Sequence, residues 1–199
     1  MNNNHPKKGS QIFVYPITNK RLIKQIKKQL ANNPRDLCLF IVGINVGLRG
    51  IDLLSLKTEQ VKHLAVGDIL RVQERKTKKL RNITINKAVR DVLNIWIESN
   101  DSEWLFPSRR GGNPLTVSTL NNMVKEWCVI AHVVTGINQG NLNYGGHTLR
   151  KTFGYWQRMA GVPIHILMQI FNHASQATTL IYLGIQSQEI EDVYLTTEI

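Results

Sequence analysis

The sequence predicts a mainly α-helical domain holding one small antiparallel β-sheet. Three observations carry that expectation. Apolar residues recur at helical spacing through most of the chain, as in Leu22, Ile23, Ile26 and Leu30. Residues 67–86, GDILRVQERKTKKLRNITIN, change to alternation around a basic turn. At 199 residues, 42% hydrophobic and 20% charged, the chain has the size and composition of one globular domain.

The elements follow in order. Residues 1–16 read as a flexible, polar-then-extended lead. Thr18 is placed to cap a first helix reaching about Asn32, with Lys20, Arg21, Lys24, Lys27 and Lys28 opposite its apolar stripe. A second helix follows Pro34 through LCLFIVGINVG, apolar enough to be buried, and GLRGIDLLSL continues as a short helix with Leu53, Leu54 and Leu56 inward. The alternating stretch is a β-hairpin or three-stranded meander, with Ile69, Ile83 and Ile85 inward. Helical spacing returns from Lys87. WLFPS is short and extended, and RRGGNP is a turn. Thr116 or Ser118 starts a helix burying Leu120, Val124, Trp127 and Ile130. The Gly/Asn-rich INQGNLNYGG opens onto the helix HTLRKTFGYWQRMAG, stopped by Gly161. Pro163 begins the next helix, Ser175 caps one that includes Tyr182, and SQEIEDVYL makes a short last helix.

Charge gives the first functional clue. Lys+Arg 25 against Asp+Glu 14 leaves +11, and Gly184–Ile199 holds Glu189, Glu191, Asp192 and Glu198 with no basic residue. A basic body with an acidic tail suits a polyanion on the body and a protein contact for the tail. Cys38 and Cys128 lie far apart and read as reduced core residues. No apolar run approaches the roughly 20 residues of a membrane span, and MNNNHPKKGS lacks a signal-peptide core. A cytoplasmic, nucleoid-associated protein is expected, with no membrane contact.

Polar residues interrupt this scaffold at five places. Arg49 ends a buried helix, and Asp52, three residues on, is placed to orient it. Lys76 lies in the hairpin turn among Arg75, Lys78, Lys79 and Arg81, where like-charge crowding suits a proton donor to an alkoxide. HTLR sets His147 and Arg150 three apart at a helix start after two glycines, a combination that suits an anionic oxygen. His173 stands at a helix end, and Tyr182 follows nine residues later. Read singly, each has a structural explanation: an Arg–Asp pair, a solvated loop, a cap, a core aromatic. His147 and His173 lack neighbouring Cys or acidic ligands, so no metal is expected, and no cofactor.

Taken together and in this order, these residues resemble the tyrosine recombinase (phage integrase) family across residues 17–184, the family's catalytic domain. RMAGVPIHILMQIFNHASQATTLIY is similar to the family's segment from the second arginine helix to the nucleophile. The chain is similar in size to short fimbrial-switch invertases, and no separate core-binding domain is expected. Lys151 stands where the family often has His or Arg, and Phe171-Asn172 replaces a common Leu-Gly. The resemblance implies that Arg49, Lys76, His147, Arg150 and His173 surround a scissile phosphate attacked by Tyr182. Lys78, Lys79, Arg81 and Lys151 become candidate DNA contacts. It further implies double-stranded DNA as partner, a tetramer in the synapse and accessory bending or directionality proteins. Residues 185–199 are expected to dock on a neighbouring protomer or fold back on their own. A type IB topoisomerase-like relaxing enzyme and a non-catalytic DNA-binding regulator are the alternatives.

Overall fold

Side-chain caps decide where the helices begin. In the computed structural model, which describes residues 13–184, α1 (Lys20–Gln29) starts at Asn19, whose side chain accepts from the Arg21 amide. The expected cap, Thr18, is one residue early. Asn33 caps α2 (Pro34–Val46), with proline at its first position. Next come α3 (Gly50–Leu54) and α4 (Thr58–Lys62). The sequence had shown no sign of α4.

Strands β1 (Ile69–Gln73) and β2 (Leu80–Thr84) form a two-stranded antiparallel hairpin, pairing Ile69 with Thr84 and Gln73 with Leu80. The register corrects one expectation. Leu70 and Val72 face inward from β1 and Ile69 is 48% exposed, while Ile83 and Ile85 are buried as expected. Asn86 then caps α5 (Lys87–Ile97), and Arg90 of that helix donates to the Val61 and Leu64 carbonyls at 3.0 and 2.6 Å, closing the end of α4. Thr116 caps α6 (Val117–Thr135), which buries Leu120, Val124 and Trp127. Ile130, expected on that stripe, is exposed. The described chain ends with α7 (Gly146–Met159), α8 (Ile164–Phe171) and α9 (Gln176–Leu183), the last capped by Ser175.

Two apolar clusters hold these elements. The larger centres on α2, which packs against α5 and α7 and buries Cys38, Leu39, Phe40, Ile41 and Val42. Each such aliphatic or aromatic side chain contributes about 1.5–3 kcal/mol by leaving water. Cys38 and Cys128 are free thiols inside it, and burial raises both pKa values, so they are inert core residues. The smaller cluster is Leu167, Phe171 and Leu183 beneath α7, α8 and α9.

Gly47 ends α2 at φ 60°, and a Cβ there would come within 2.5 Å of the Phe153 ring. Gly47→Ala is therefore expected to destabilise the fold by about 2–4 kcal/mol, from left-handed strain plus overpacking. A lowered urea midpoint measures this, and an unchanged midpoint would show that Phe153 moves aside freely.

Residues 13–16, expected within the lead, are packed. The Tyr15 amide donates to Asn143 O at 2.9 Å, and the Ile17 amide to Thr152 Oγ1 at 2.8 Å. Trp156 Nε1 donates to Ile17 O, tying the segment along α7. The expected last helix, the acidic tail and the first twelve residues lie outside the described residues. Among the described residues, no helix is long and apolar enough to cross a membrane.

Candidate active site

Arg150 lies at the junction of three segments. It is 2% exposed, with Nη1 donating to Gly47 O at the end of α2 and Nη2 to Phe171 O at the end of α8, the latter at 2.9 Å. Its guanidinium also lies over the Phe171 ring, 4.6 Å from the centroid. Burial, with Arg49 and Arg81 nearby, lowers its pKa to about 10, so the group is still charged at neutral pH. A guanidinium has five N–H donors, so two carbonyls leave donors for an incoming anion.

Arg49 is the residue before α3, in extended conformation, and its side chain runs to the hairpin instead of along the helix. It pairs with Glu74, Nη1 to Oε2 at 2.6 Å. This corrects the expected Arg49–Asp52 pair: Asp52 Oδ1 accepts from the Arg75 amide at 2.9 Å, and its Oδ2 is buried without a partner. Glu74 is fully buried. Burial acts to raise its pKa, but hydrogen bonds from Thr77 and Arg49 and the charges of Arg49 and Arg150 hold it below the usual carboxylate value.

Tyr182 lies on α9 with its ring packed against both His173, 5.1 Å away, and Phe171, 5.5 Å away, which also touch each other at 5.4 Å. Its hydroxyl is buried without a well-formed hydrogen bond. Burial raises the phenol pKa, and the charges of Arg150 and Arg49 oppose this without overcoming it. The Lys151 amine lies over the same ring at 4.8 Å and over Phe13 at 3.6 Å. Burial lowers its pKa to about 8. A cavity of about 600 Å³ opens here, lined by Phe13, His147, Lys151, Thr178, Ile181 and Tyr182. His147 is exposed on its lining. Partial desolvation and the positive field of Arg150, Lys151 and Arg49 lower its pKa, which favours the neutral, proton-accepting ring.

His173 Nδ1 lies 3.1 Å from Thr179 Oγ1, whose hydroxyl is also 3.2 Å from Ser175 O. When that hydroxyl donates to Nδ1, Nε2 carries the proton and can donate to an anion while the ring is neutral. Burial, Arg150 and Arg49 lower the His173 pKa from 6.5 to about 4. The unfolded ring therefore takes up a proton first, and stability should decline as pH falls from about 6.5 toward about 4. Thermal melts across that window should show a shallower slope for His173→Gln than for wild type. Identical slopes would refute the shift.

Arg49, Arg150, His173 and Tyr182 are thus brought together, with His147 lining the same cavity as Tyr182. Lys76 is exposed at the hairpin tip, and among the described residues no contact ties its amine to the cluster. Two expected DNA contacts face inward instead. Arg81 donates to Gly47 O at 3.1 Å, capping α2, and Lys151 is 5% exposed against the two rings. Lys78 and Lys79 are exposed; Lys79 Nζ donates to Asn172 Oδ1 at 2.7 Å. The sequence reading missed Glu74, Thr77 and Thr179. For Glu74 a signal existed, because it shares the inward parity of Leu70 and Val72.

Residues 14–189 match the model of the phage integrase family. The chain belongs to that family. As a phage integrase family protein it is 35% identical over 184 residues to "Probable integrase/recombinase YoeC" of Bacillus subtilis (strain 168), covering 92% of this chain and 96% of that one. It is 28% identical to "Tyrosine recombinase XerA" of Pyrococcus horikoshii, over 84% of this chain but only 57% of that protein. Among solved structures, a crystal structure of XerA recombinase matches with a TM-score of 0.73 at 22% identity, covering 96% of this chain and 68% of that one. XerH site-specific recombinase bound to palindromic difH substrate, a post-cleavage complex, matches at 0.70 and 20% identity, covering 93% and 54%. The integrase fold here is that of a tyrosine recombinase catalytic domain.

Proposed function

We propose that this chain is a site-specific DNA recombinase that cuts and rejoins double-stranded DNA through a 3′-phosphotyrosyl intermediate on Tyr182. The observation that carries the reading is the buried Tyr182 hydroxyl, without a well-formed hydrogen bond and set among Arg150, Arg49 and His173. A phosphodiester repels nucleophiles, so cations must accept the charge that builds on its nonbridging oxygens. Arg49 and Arg150 supply it. His147 takes the phenol proton, the Tyr182 oxygen attacks phosphorus, and the bond to the 5′-oxygen breaks. Lys76 protonates that oxygen, and His173, neutral with its hydrogen on Nε2, donates to the phosphate. The ester to tyrosine conserves the bond, so rejoining runs the same steps backward without a nucleotide cofactor.

Residues 17–184 form the catalytic unit in this reading, and 185–199 an acidic tail that docks on a neighbouring protomer of a DNA-bound tetramer or folds back on its own. Accessory bending or directionality proteins complete the assembly. The test uses supercoiled plasmids with and without two copies of a duplex chosen from a randomised pool by covalent capture on the protein. Recombined circles from the site-bearing plasmid alone are expected. Relaxation of both plasmids without recombination would instead assign a topoisomerase-like activity.

A further inference from the structure

We propose that Glu74 is a positioning residue for two groups at once: its carboxylate holds the Arg49 guanidinium and, through the Thr77 hydroxyl, sets the β1–β2 turn that presents Lys76. The inference rests on the recombinase reading above. A carboxylate with no exposed surface is costly unless its charge and lone pairs are met. Here one oxygen, Oε2, serves both groups, 2.6 Å from Arg49 Nη1 and 2.8 Å from Thr77 Oγ1. A counter-ion for the arginines alone would need no link to the turn. The other oxygen, Oε1, is 3.9 Å from Arg81 Nη1 and makes no hydrogen bond.

The turn is tied at every residue around Lys76. The Glu74 amide donates to Lys79 O at 2.9 Å, and the Lys78 amide to Glu74 O at 2.8 Å, with Lys78 at φ 58°. Arg75 N is held by Asp52, and Thr77 Oγ1 accepts from the Lys79 amide at 3.4 Å. The Lys76 backbone is thereby fixed while its side chain stands free in solvent. That arrangement matters when the bond to the 5′-oxygen breaks as the Tyr182–phosphorus bond forms, because the Lys76 ammonium must deliver its proton to the departing oxygen. Misplacing such a donor by about 1 Å costs roughly a hundredfold in rate.

The experiment measures single-turnover cleavage of a nicked suicide duplex, chosen from a randomised pool by covalent capture on wild-type protein. A matched duplex carries a 5′-bridging phosphorothiolate, whose thiolate leaves with little need of a proton. Thr77→Val is expected to cut the ordinary duplex roughly tenfold to a hundredfold more slowly and to regain most of that rate on the phosphorothiolate, as Lys76→Ala should. Glu74→Gln should be slow on both substrates, since Arg49 loses its orientation as well. Thr77→Val retains the buried ion pair, so it keeps the test open even where Glu74→Gln fails to fold. Cleavage by Thr77→Val at the wild-type rate, or equal slowing on both substrates, overturns the inference. Wild-type protein that captures no duplex overturns the recombinase reading, and this inference with it.

Discussion

Tyr182→Phe is expected to abolish the denaturant-resistant protein–DNA adduct while leaving the fold as stable as wild type or slightly more so. The two halves of that outcome have one cause. The hydroxyl is buried without a well-formed hydrogen bond, so it costs folding free energy, and deleting it removes an unsatisfied polar group of about 1–3 kcal/mol. The ring, by contrast, packs against Phe171 and His173 and is retained in phenylalanine. A group kept at a cost to stability is kept for chemistry. Adduct formation on a suicide duplex and a thermal melt read the two halves separately. An adduct surviving in the Phe variant would falsify the assignment of the nucleophile. Tyr194 is the other phenol to compare, and it lies outside the described residues; its neighbours Glu191 and Asp192 repel phosphate, so Tyr194→Phe should still form the adduct.

Arg150→Lys should lose both cleavage and stability. A lysine carries the charge but has no planar fork, so it cannot hold Gly47 O and Phe171 O together while keeping donors for a phosphate. Cleavage should fall by about 10²–10³-fold, the scale of losing a transition-state donor. Leaving a buried carbonyl unmet should cost about 1–3 kcal/mol. Arg49→Lys makes the contrast. Its side chain is 20% exposed, so its cleavage loss should come with a smaller drop in melting temperature. Equal cleavage by Arg150→Lys and wild type would reduce Arg150 to a scaffold residue.

The helices with strong periodicity and a side-chain cap were legible, as at Thr116 and Ser175, because cap and stripe point to the same start. Helix α4 was not, since five residues cannot show a period and its end is closed by Arg90 from another helix. Ile69 was assigned the wrong face because two apolar residues stand side by side there, and only pairing with β2 decides between them. At the site, family resemblance singled out Arg49, Lys76, His147, Arg150, His173 and Tyr182, and the structure brings Arg49, Arg150, His173 and Tyr182 together. Their partners were not. Asp52 seemed right for Arg49 by helical spacing, but Arg49 precedes the helix, where that spacing does not apply, and its true partner is 25 residues away. Lys151 looked like a surface cation because nothing local reveals that Phe13 closes over it.

Helix α9, which carries Tyr182, is seated on the smaller apolar cluster, Leu167, Phe171 and Leu183. Proteins open locally in cooperative units whose free energies scale with the contacts each one breaks. Undocking α9 breaks that small unit and leaves the α2 core whole, so its opening free energy lies below that of global unfolding. Arg150 belongs to the other regime, since releasing it disturbs the ends of both α2 and α8. Arg150 is thus anchored on one side in the part of the molecule expected to open last, while Tyr182 rides on one expected to open among the first.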